Sequence, residues 1–371
     1  MEGIDENFLS MDFRNQVVFA FDYGIAVINE SILSQSAINH YKVPILQGPK
    51  LLGVLSCKVT RIPRPYNLDF RLLKLHHPTF IGHRGSGSNK SGSRIRENTI
   101  LSFNRAMVGT NLAGIELDVL LTCDRKLVIY HDLQYPVSIN GRMIPTPIAA
   151  IDYKDMQGPK LKRRVSDPIQ GDGREYLFED CPLLDSVLKQ LSPELAGIVI
   201  ELKFPTNGTI TKFPALGKFS RTDLVESVLN CLEENQDSIR NRWIVLSSFD
   251  PDIVYVINKC LREGMSPHVM VVHNTWFGHE DEPEEDDTVD FTDVRNRVPS
   301  ITLIISKSMK TAIAVEAKYA LSSDFSLYFE ATAQIDILSY GADNMRELNI
   351  EKQNAIQGFF VDNMHLARRS S

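Results

Sequence analysis

From residue 79 onward, short apolar runs of strand length alternate with segments in which apolar residues recur every three or four positions. The eight runs predicted as strands lie at 79–83, 113–121, 126–132, 197–203, 243–249, 268–272, 336–340 and 358–363. Strands that alternate with helices favour a parallel α/β fold. Eight of them favour a closed (β/α)₈ barrel over an open sheet, although the period alone does not exclude an open sheet.

The helices between these runs are predicted from apolar stripes and end signals. Stripes with i, i+3, i+4, i+7 spacing lie at 184–191 and 225–232. A third helix is predicted to begin at Asp250 and Pro251 and to stop by Gly264. A fourth follows residues 97–99, with Asn98 or Thr99 as its cap, and ends at Gly109.

Two parts of the chain do not follow this alternation. The run 311–317 is either an extra strand or part of a long crossover, and the acidic run 280–287 is predicted to be a solvated loop. Residues 1–70 contain β-prone runs at 17–28 and 43–59 with Gly and Pro between them, which is typical of hairpins. We therefore divide the chain into a β-rich N-terminal segment of unassigned function, 1–70, and a catalytic barrel domain, 71–371.

Composition narrows the class of protein. The net charge of −7 argues against a nucleic-acid binder, which needs a cationic face. No apolar run has the length of a membrane span, and the acidic N-terminus lacks the order of a secretion signal. The five cysteines are scattered, with no CxxC pair, which favours a reducing, cytoplasmic setting.

Polar residues gather at the predicted strand ends, where barrel enzymes carry their chemistry. Alternation along a strand places Glu116 and Asp118 on one face, about 7 Å apart, where they repel unless a cation lies between them. Glu201 and Lys203 share a face in the same way. Oxygen ligands of this kind suit Mg²⁺ or Ca²⁺, and His83 and His131 fall at corresponding strand ends.

The stretch after the first strand of the predicted barrel is rich in glycine and serine. Gly85 and the small residues that follow it let the backbone come close to a ligand. Residues 86–96 are predicted to form a flexible insertion at the mouth of the site. Glu97 is expected either to reach the metal or to hold Arg84.

These motifs, taken in order, resemble one enzyme family. GHRG at 82–85, ENT at 97–99, ELDV at 116–119, HD at 131–132 and ELK at 201–203 are similar to the glycerophosphodiester phosphodiesterases. SSFDPDI at 247–253, DVRNRV at 293–298 and SYG at 339–341 resemble the branch that hydrolyses glycerophosphocholine in eukaryotic cytoplasm. The resemblance covers about residues 79–363.

The resemblance implies a TIM barrel with one divalent cation, Mg²⁺ or Ca²⁺, and a small-molecule glycerophosphodiester as substrate. It implies that the first nucleophile is the glycerol 2-hydroxyl and that the products are glycerol 3-phosphate and a free alcohol such as choline. The implied metal ligands are Glu116, Asp118 and Glu201, with Glu97 beside them; the implied acid–base pair is His83 and His131; and Arg84, Lys203 and Asn98 would hold the phosphate. It names no protein partner.

The chain departs from the family pattern at two places. Tyr340 stands where many relatives have a tryptophan, and residues 361–364, Val-Asp-Asn-Met, replace the usual Thr-Asp-x-Pro. Both changes are expected in the substrate pocket, which leaves headgroup choice open. Phe249 and Tyr340 are predicted either to face a trimethylammonium group by cation–π attraction or to pack within the barrel. The alternatives to the leading function are a lysophospholipase D and a non-catalytic barrel scaffold.

Overall fold

The structure is a computed structural model, and it describes most of the barrel and the strands of the N-terminal segment. The described residues are 9–12, 16–21, 24–29, 38–47, 50–60, 79–86, 95–108, 110–140, 142–156, 181–261, 269–277, 287–291, 293–309, 311–321, 335–341 and 356–362. The predicted insertion at 86–96 is therefore described only at its ends. Gly109, Gly264, residues 280–286, Asn363 and Met364 lie outside the described residues. The chain forms two compact units, Met1–Pro63 and Arg64–Ser371.

The first unit contains an antiparallel sheet in which neighbours in sequence are neighbours in space. Its strands are β1 Leu9–Asp12, β2 Gln16–Phe21, β3 Gly24–Asn29, β4 Ile38–Gln47 and β5 Lys50–Thr60. The two apolar runs of the sequence form the antiparallel pairs β2–β3 and β4–β5, so the predicted hairpin pairings are confirmed. A register shift between Ile45 and Leu46 interrupts the longer pair.

The second unit contains a closed parallel barrel. Its strands in chain order are β6 Thr79–Gly82, β7 Leu112–Leu121, β8 Leu127–Ile129, β9 Gln134–Ile139, β10 Arg142–Pro147, β11 Gly197–Leu202, β12 Trp243–Ser248, β13 Val269–Asn274, β14 Ala312–Glu316, β15 Ile337–Tyr340 and β16 Gly358–Val361. The order around the barrel is β6, β7, β11, β12, β13, β14, β15, β16, and parallel pairing of β16 with β6 closes it. The predicted (β/α)₈ fold is confirmed.

One of the eight predicted barrel strands is wrong, because it forms a strand outside the barrel. The run at 126–132 contributes β8, but β8 pairs antiparallel with the end of β7 and is not a barrel strand. The few residues between Leu121 and Leu127 suffice for a hairpin and are too short for the crossover that a parallel neighbour needs. The eighth barrel strand is β14, within the run 311–317 that the sequence left undecided.

Helices follow the strands, and side chains fix where several of them begin. The helices are α1 Ile100–Ala106, α2 Tyr153–Met156, α3 Leu184–Gln190, α4 Asn207–Lys212, α5 Arg221–Glu234, α6 Gln236–Ile239, α7 Pro251–Cys260, α8 Val294–Arg297, α9 Pro299–Met309 and α10 Ala317–Ala320, with 3₁₀ turns at Ile148–Ala150 and Pro214–Lys218. Of the two caps considered for α1, Thr99 is the one used, because its hydroxyl accepts from the Ser102 amide. Asp250 caps α7 as predicted. Among these described helices, none combines the length and the apolar character that crossing a membrane requires.

The interior of the barrel is apolar below the site. Side chains from seven of the eight strands form one cluster, made of Ile81, Val199, Val245, Met270, Val272, Ala312, Ala314, Leu338 and Phe360. Trp243 packs against this cluster and lies over Gly114 and Gly197 of the neighbouring strands. A Cβ atom on Gly197 would come within 1.9 Å of the Trp243 ring, so the indole occupies the space that a larger residue would need.

We expect Gly197→Ala to lower the free energy of unfolding by about 1–3 kcal/mol or more, since the added methyl overpacks the ring. Gly208→Ala is the control, because the nearest atom to its new Cβ would lie 3.6 Å away. Urea denaturation measures both variants, and Gly197→Ala combined with Trp243→Leu should recover part of the loss. Equal midpoints for the two single variants would contradict this account of the packing.

Candidate active site

The candidate site lies at the C-terminal ends of the first barrel strands. On β7, Glu116 and Asp118 follow Gly114 on the interior face, and on β11 Glu201 follows Val199 of the interior cluster. Glu201 lies directly opposite Asp118 in the register of the two strands. Along each strand the carboxylates thus follow the small or apolar residue on the same face, and Glu116 lies opposite Val199 in the register of the two strands.

These three carboxylates converge. Glu116, Asp118 and Glu201 each offer an oxygen, and the three oxygens lie within 4.8 Å of one another. Glu116 and Asp118 are buried, with 3% and 1% of their surface exposed. Burial, together with the charges of Asp118 and Glu201, raises the pKa of Glu116 to about 8, against the lowering effect of His83 and Arg84.

Within the described part of the chain, Glu116 Oε1 has no hydrogen-bond partner. Glu116 Oε1 is buried and accepts no hydrogen bond, whereas Glu116 Oε2 accepts one from the Arg84 amide at 2.9 Å. A buried carboxylate oxygen without a donor is costly. Because three oxygen ligands converge where a partner is missing, the arrangement fits a hard divalent cation such as Mg²⁺ or Ca²⁺.

The loop after β6 reaches the trio through an uncommon backbone conformation. Arg84 and Gly85 have φ angles of 52° and 81°, in the left-handed region. At Gly85 a Cβ would lie 2.2 Å from the Ser102 hydroxyl, so only glycine fits between this loop and α1. Ser102 in turn donates to the Arg84 carbonyl at 2.9 Å. This turn points the Arg84 amide at Glu116.

Positively charged and amide side chains hold the acidic cluster. The Arg84 guanidinium donates to Glu97 at 2.9 Å and lies 3.4 Å from Asp118. Asn98 donates to Asp118 at 2.7 Å. Lys203 lies 3.3 Å from a Glu201 oxygen and 3.8 Å from Asp118. Each of these groups offsets part of the negative charge.

Glu97 stands apart from the converging trio. Of the two roles considered for it, the geometry shows the contact with Arg84, and its carboxylate is not among the three that meet within 4.8 Å. The Arg84 guanidinium donates to Glu97 Oε1, so this oxygen already has a positively charged partner. Direct ligation by Glu97 therefore stays a prediction.

The two histidines are held alike. His83 Nδ1 lies 2.6 Å from Asp362, and His131 Nδ1 lies 2.7 Å from Asp132. In each ring the carboxylate favours a proton on Nδ1 and leaves Nε2 for other contacts. His83 Nε2 lies 3.8 Å from Glu116, and His131 Nε2 lies 3.1 Å from the Lys203 ammonium.

The charges around His83 affect its protonation. Burial and the Arg84 charge lower its pKa, but the hydrogen bond to Asp362 and the charges of Glu116 and Asp362 outweigh them. The net result is a pKa raised above the ordinary value of histidine. Asp362 belongs to the segment 361–364 that was expected to concern only the substrate pocket, so this segment also reaches a candidate catalytic residue.

The two predicted aromatic residues meet at the mouth. Phe249, after β12, and Tyr340, at the end of β15, contact edge to face, with ring centroids 5.8 Å apart. The Tyr340 hydroxyl donates to the Thr275 carbonyl at 2.6 Å, and the ring packs on the interior cluster. Both rings are half-buried. Each ring therefore packs against the other and keeps some exposed surface, and contact with a ligand stays a prediction.

Sequence reasoning assigned no role to several polar residues that support the site. Asp362 and Asp132 hold the histidines, and Asn274 donates to Glu201 Oε2 at 3.3 Å. His273, beside Asn274, is buried against Asn296, and burial lowers its pKa to about 4. A usable signal existed for Asp362 and Asn274, because each lies at or directly after the C-terminal end of a barrel strand.

The family model described as the glycerophosphoryl diester phosphodiesterase family matches residues 83–366, which are most of the chain and include every candidate site residue described above. This chain belongs to that family. GPCPD1 homolog 1 of Caenorhabditis elegans is 30% identical over 208 residues, which are 48% of this chain and 29% of that protein. Glycerophosphodiester phosphodiesterase GDPD3 of Arabidopsis thaliana is 30% identical over 203 residues, 50% of this chain and 52% of that protein. The aligned stretch thus spans 29% of the first relative and 52% of the second.

Solved structures share the fold of the family member described here. An Oleispira antarctica phosphodiesterase, in complex with the product sn-glycerol-3-phosphate, matches with a TM-score of 0.55 and 19% identity over 79% of this chain and 96% of that one. A Parabacteroides distasonis glycerophosphodiester phosphodiesterase matches with a TM-score of 0.51 and 17% identity over 79% and 98% of the two chains. At these identities the likeness concerns the barrel fold.

We expect Glu116→Gln to weaken Mg²⁺ or Ca²⁺ binding by at least about tenfold, because it removes a charged ligand from the trio. In the absence of cation its Tm should equal or exceed that of the unchanged protein, since one repulsive charge is gone. Thermal unfolding with either cation or with chelator measures both effects, and Glu226→Gln on the exposed face of α5 is the control. A normal cation-dependent rise in Tm for Glu116→Gln would contradict the assignment.

Proposed function

We propose that this chain hydrolyses glycerophosphodiesters, with glycerophosphocholine as the favoured substrate, and releases sn-glycerol 3-phosphate and choline. The observation that carries the proposal is the convergence of three carboxylates beside two histidines, each held by its own aspartate. We also propose a cytoplasmic location, which the free thiols of Cys123 and Cys231 support.

Relatives support the choice of substrate. Aligned proteins of mouse and human carry the name glycerophosphocholine phosphodiesterase, at 27% identity to this chain. The barrel from Oleispira antarctica was solved with sn-glycerol-3-phosphate, the product proposed here. Because the aligned stretch is only part of the mouse and human proteins, choline preference in this chain depends on its own pocket.

The charges at the mouth suit a phosphodiester, whose negative charge hinders attack. A divalent cation held by Glu116, Asp118 and Glu201 would polarise a phosphate oxygen. Arg84 and Lys203 lie at the same mouth, where their positive charges attract and orient the substrate phosphate. Lys203 also contacts His131, so the same ammonium links the phosphate site with the acid–base pair.

The histidines supply the proton transfers. With Nδ1 bonded to an aspartate, each ring presents Nε2 to the site, and one Nε2 takes the proton of the attacking glycerol 2-hydroxyl. The other gives a proton to the leaving choline oxygen, which yields choline and a cyclic glycerol phosphate. Water then opens the ring with the two roles exchanged. The resulting product is sn-glycerol 3-phosphate.

One observation favours a second candidate, a lysophospholipase D. The hairpin of β9 and β10 begins shortly after His131 and exposes three large apolar side chains, Ile139, Met143 and Ile144. Exposed apolar groups of this kind suit an acyl chain. Lysophosphatidylcholine should therefore be assayed beside the water-soluble diesters. A non-catalytic scaffold is disfavoured because the chain keeps both histidines and all three converging carboxylates.

The first test is product release from diesters with choline, ethanolamine, inositol and serine headgroups, and from lysophosphatidylcholine, with Mg²⁺, Ca²⁺ or chelator. We expect glycerol 3-phosphate from the choline diester, its loss in chelator and its return with cation. Choline release from lysophosphatidylcholine alone would favour the second candidate. Chelator-resistant turnover would contradict the proposed metal site. If no substrate is turned over, the non-catalytic scaffold is the hypothesis that remains.

We expect His83→Ala to lower kcat by about 10²–10⁴-fold, because it removes one group that transfers protons. Its Tm should stay close to that of the unchanged protein, since His83 lies at the mouth and not in the apolar interior. Asp362→Asn should cause a smaller loss in kcat, because the ring remains but loses its charged partner. Near-normal turnover by His83→Ala would rule out its catalytic role.

We expect Tyr340→Leu to lower the preference for choline over ethanolamine, because it removes the aromatic face available to trimethylammonium. Tyr340→Phe keeps the ring and loses only the hydroxyl bonded to Thr275, so it should keep the preference. The measurement is the ratio of kcat/KM for the two diesters. If Tyr340→Leu leaves that ratio unchanged, Tyr340 only packs within the barrel.

A further inference from the structure

A small polar cavity lies behind His131, outside the converging carboxylates. Its lining includes Arg96, Glu97, Asn98, Tyr130, His131 and Cys181. The cavity has room for a small guest, about the size of one water molecule or a single ion. Three of the lining residues also border the candidate active site, so only one layer of side chains separates the two.

Arg96 brings a positive charge into this cavity, and no carboxylate of the described residues forms an ion pair with it, although the charge of Glu97 acts on it from nearby. The side chain is 9% exposed. Its contacts are the Cys181 sulfur at 3.7 Å, a weak acceptor, and the face of the Tyr130 ring, 5.5 Å from the guanidinium carbon. Among the described residues, Arg84, Arg221 and Arg295 each form an ion pair with a carboxylate, and Arg96 forms none.

Tyr130 supplies a second unsatisfied group at the same place. Its hydroxyl is buried and has no hydrogen-bond partner among the residues that the structure describes. A buried hydroxyl donor normally finds an acceptor. The Arg96 guanidinium over the ring of this tyrosine cannot accept a bond, so both groups call for the same kind of partner, one that accepts hydrogen bonds and carries negative charge.

We propose that this cavity binds a single halide-sized anion, for which chloride is the physiological candidate. The Arg96 charge disfavours a cation. A water molecule would satisfy the Tyr130 hydroxyl but would bring no negative charge beside the buried guanidinium. The anion is therefore favoured over water by charge.

Binding of the anion does not depend on the proposed hydrolysis, so it is tested by itself. The full chain is titrated with sodium bromide against sodium gluconate at equal ionic strength, and Tm is followed. We expect a saturable rise in Tm with bromide, since a ligand that binds only the folded state stabilises it. Crystals grown in bromide should show an anomalous peak between Arg96 and the Tyr130 hydroxyl.

Two variants and a control make the test specific. Arg96→Gln should abolish the bromide-dependent rise in Tm. Tyr130→Phe keeps the ring beneath Arg96 and removes one donor to the anion, so it should weaken bromide affinity about tenfold. The control is Arg125→Gln, because Arg125 also lies over an aromatic ring, Phe219, but is exposed and paired with Asp223. This variant should respond to bromide like the unchanged protein.

Three outcomes would overturn the proposal. The first is density in the cavity without an anomalous peak, which would mean that water alone fills it. The second is an equal bromide response in Arg96→Gln or Tyr130→Phe and in the unchanged protein, which would place the halide elsewhere. The third is a peak without any saturable rise in Tm, which would mean an adventitious ion only.

Discussion

The mutual repulsion of three buried carboxylates is the constraint around which this site is organised. Glu116, Asp118 and Glu201 meet where little water can screen them, and the raised pKa of Glu116 records the cost. The neighbouring groups reduce that cost, because Arg84, Lys203, Asn98 and Asn274 all direct positive charge or N–H groups at the cluster. The Glu116 oxygen that accepts no hydrogen bond from the described residues is suited to bind a cation.

The parallel barrel makes this concentration of charge tolerable. Side chains two residues apart on one strand share a face, so β11 contributes Val199 to the apolar interior and Glu201 to the mouth above it. Close packing of the interior, with Trp243 seated on Gly114 and Gly197, holds the strands that carry the carboxylates. The carboxylates therefore lie next to a closely packed apolar interior. Burial of that interior stabilises the fold, whereas the carboxylates at the mouth are the candidates for the chemistry.

The histidines enter the site by different routes and reach equivalent positions. His83 follows β6 directly, whereas His131 is returned to the mouth by the hairpin of β7 and β8. Each is then fixed by an aspartate through Nδ1. The end of this hairpin also lines the cavity that contains Arg96 and Tyr130. The cavity and His131 are therefore positioned by the same hairpin. An anion there would act close to the reaction centre.

The sequence by itself indicated the alternation of strands and helices and the strand ends at which the polar residues lie, because strand and helix periods are local properties of the chain. It also brought Glu116 and Asp118 to one face. Tertiary structure alone decided that β14 replaces β8 as the eighth strand, that Asp362 meets His83 across the closing seam, and that Glu97 holds Arg84. These outcomes depend on strand pairing and on contacts between residues distant in sequence, which no local pattern of apolar and polar positions encodes.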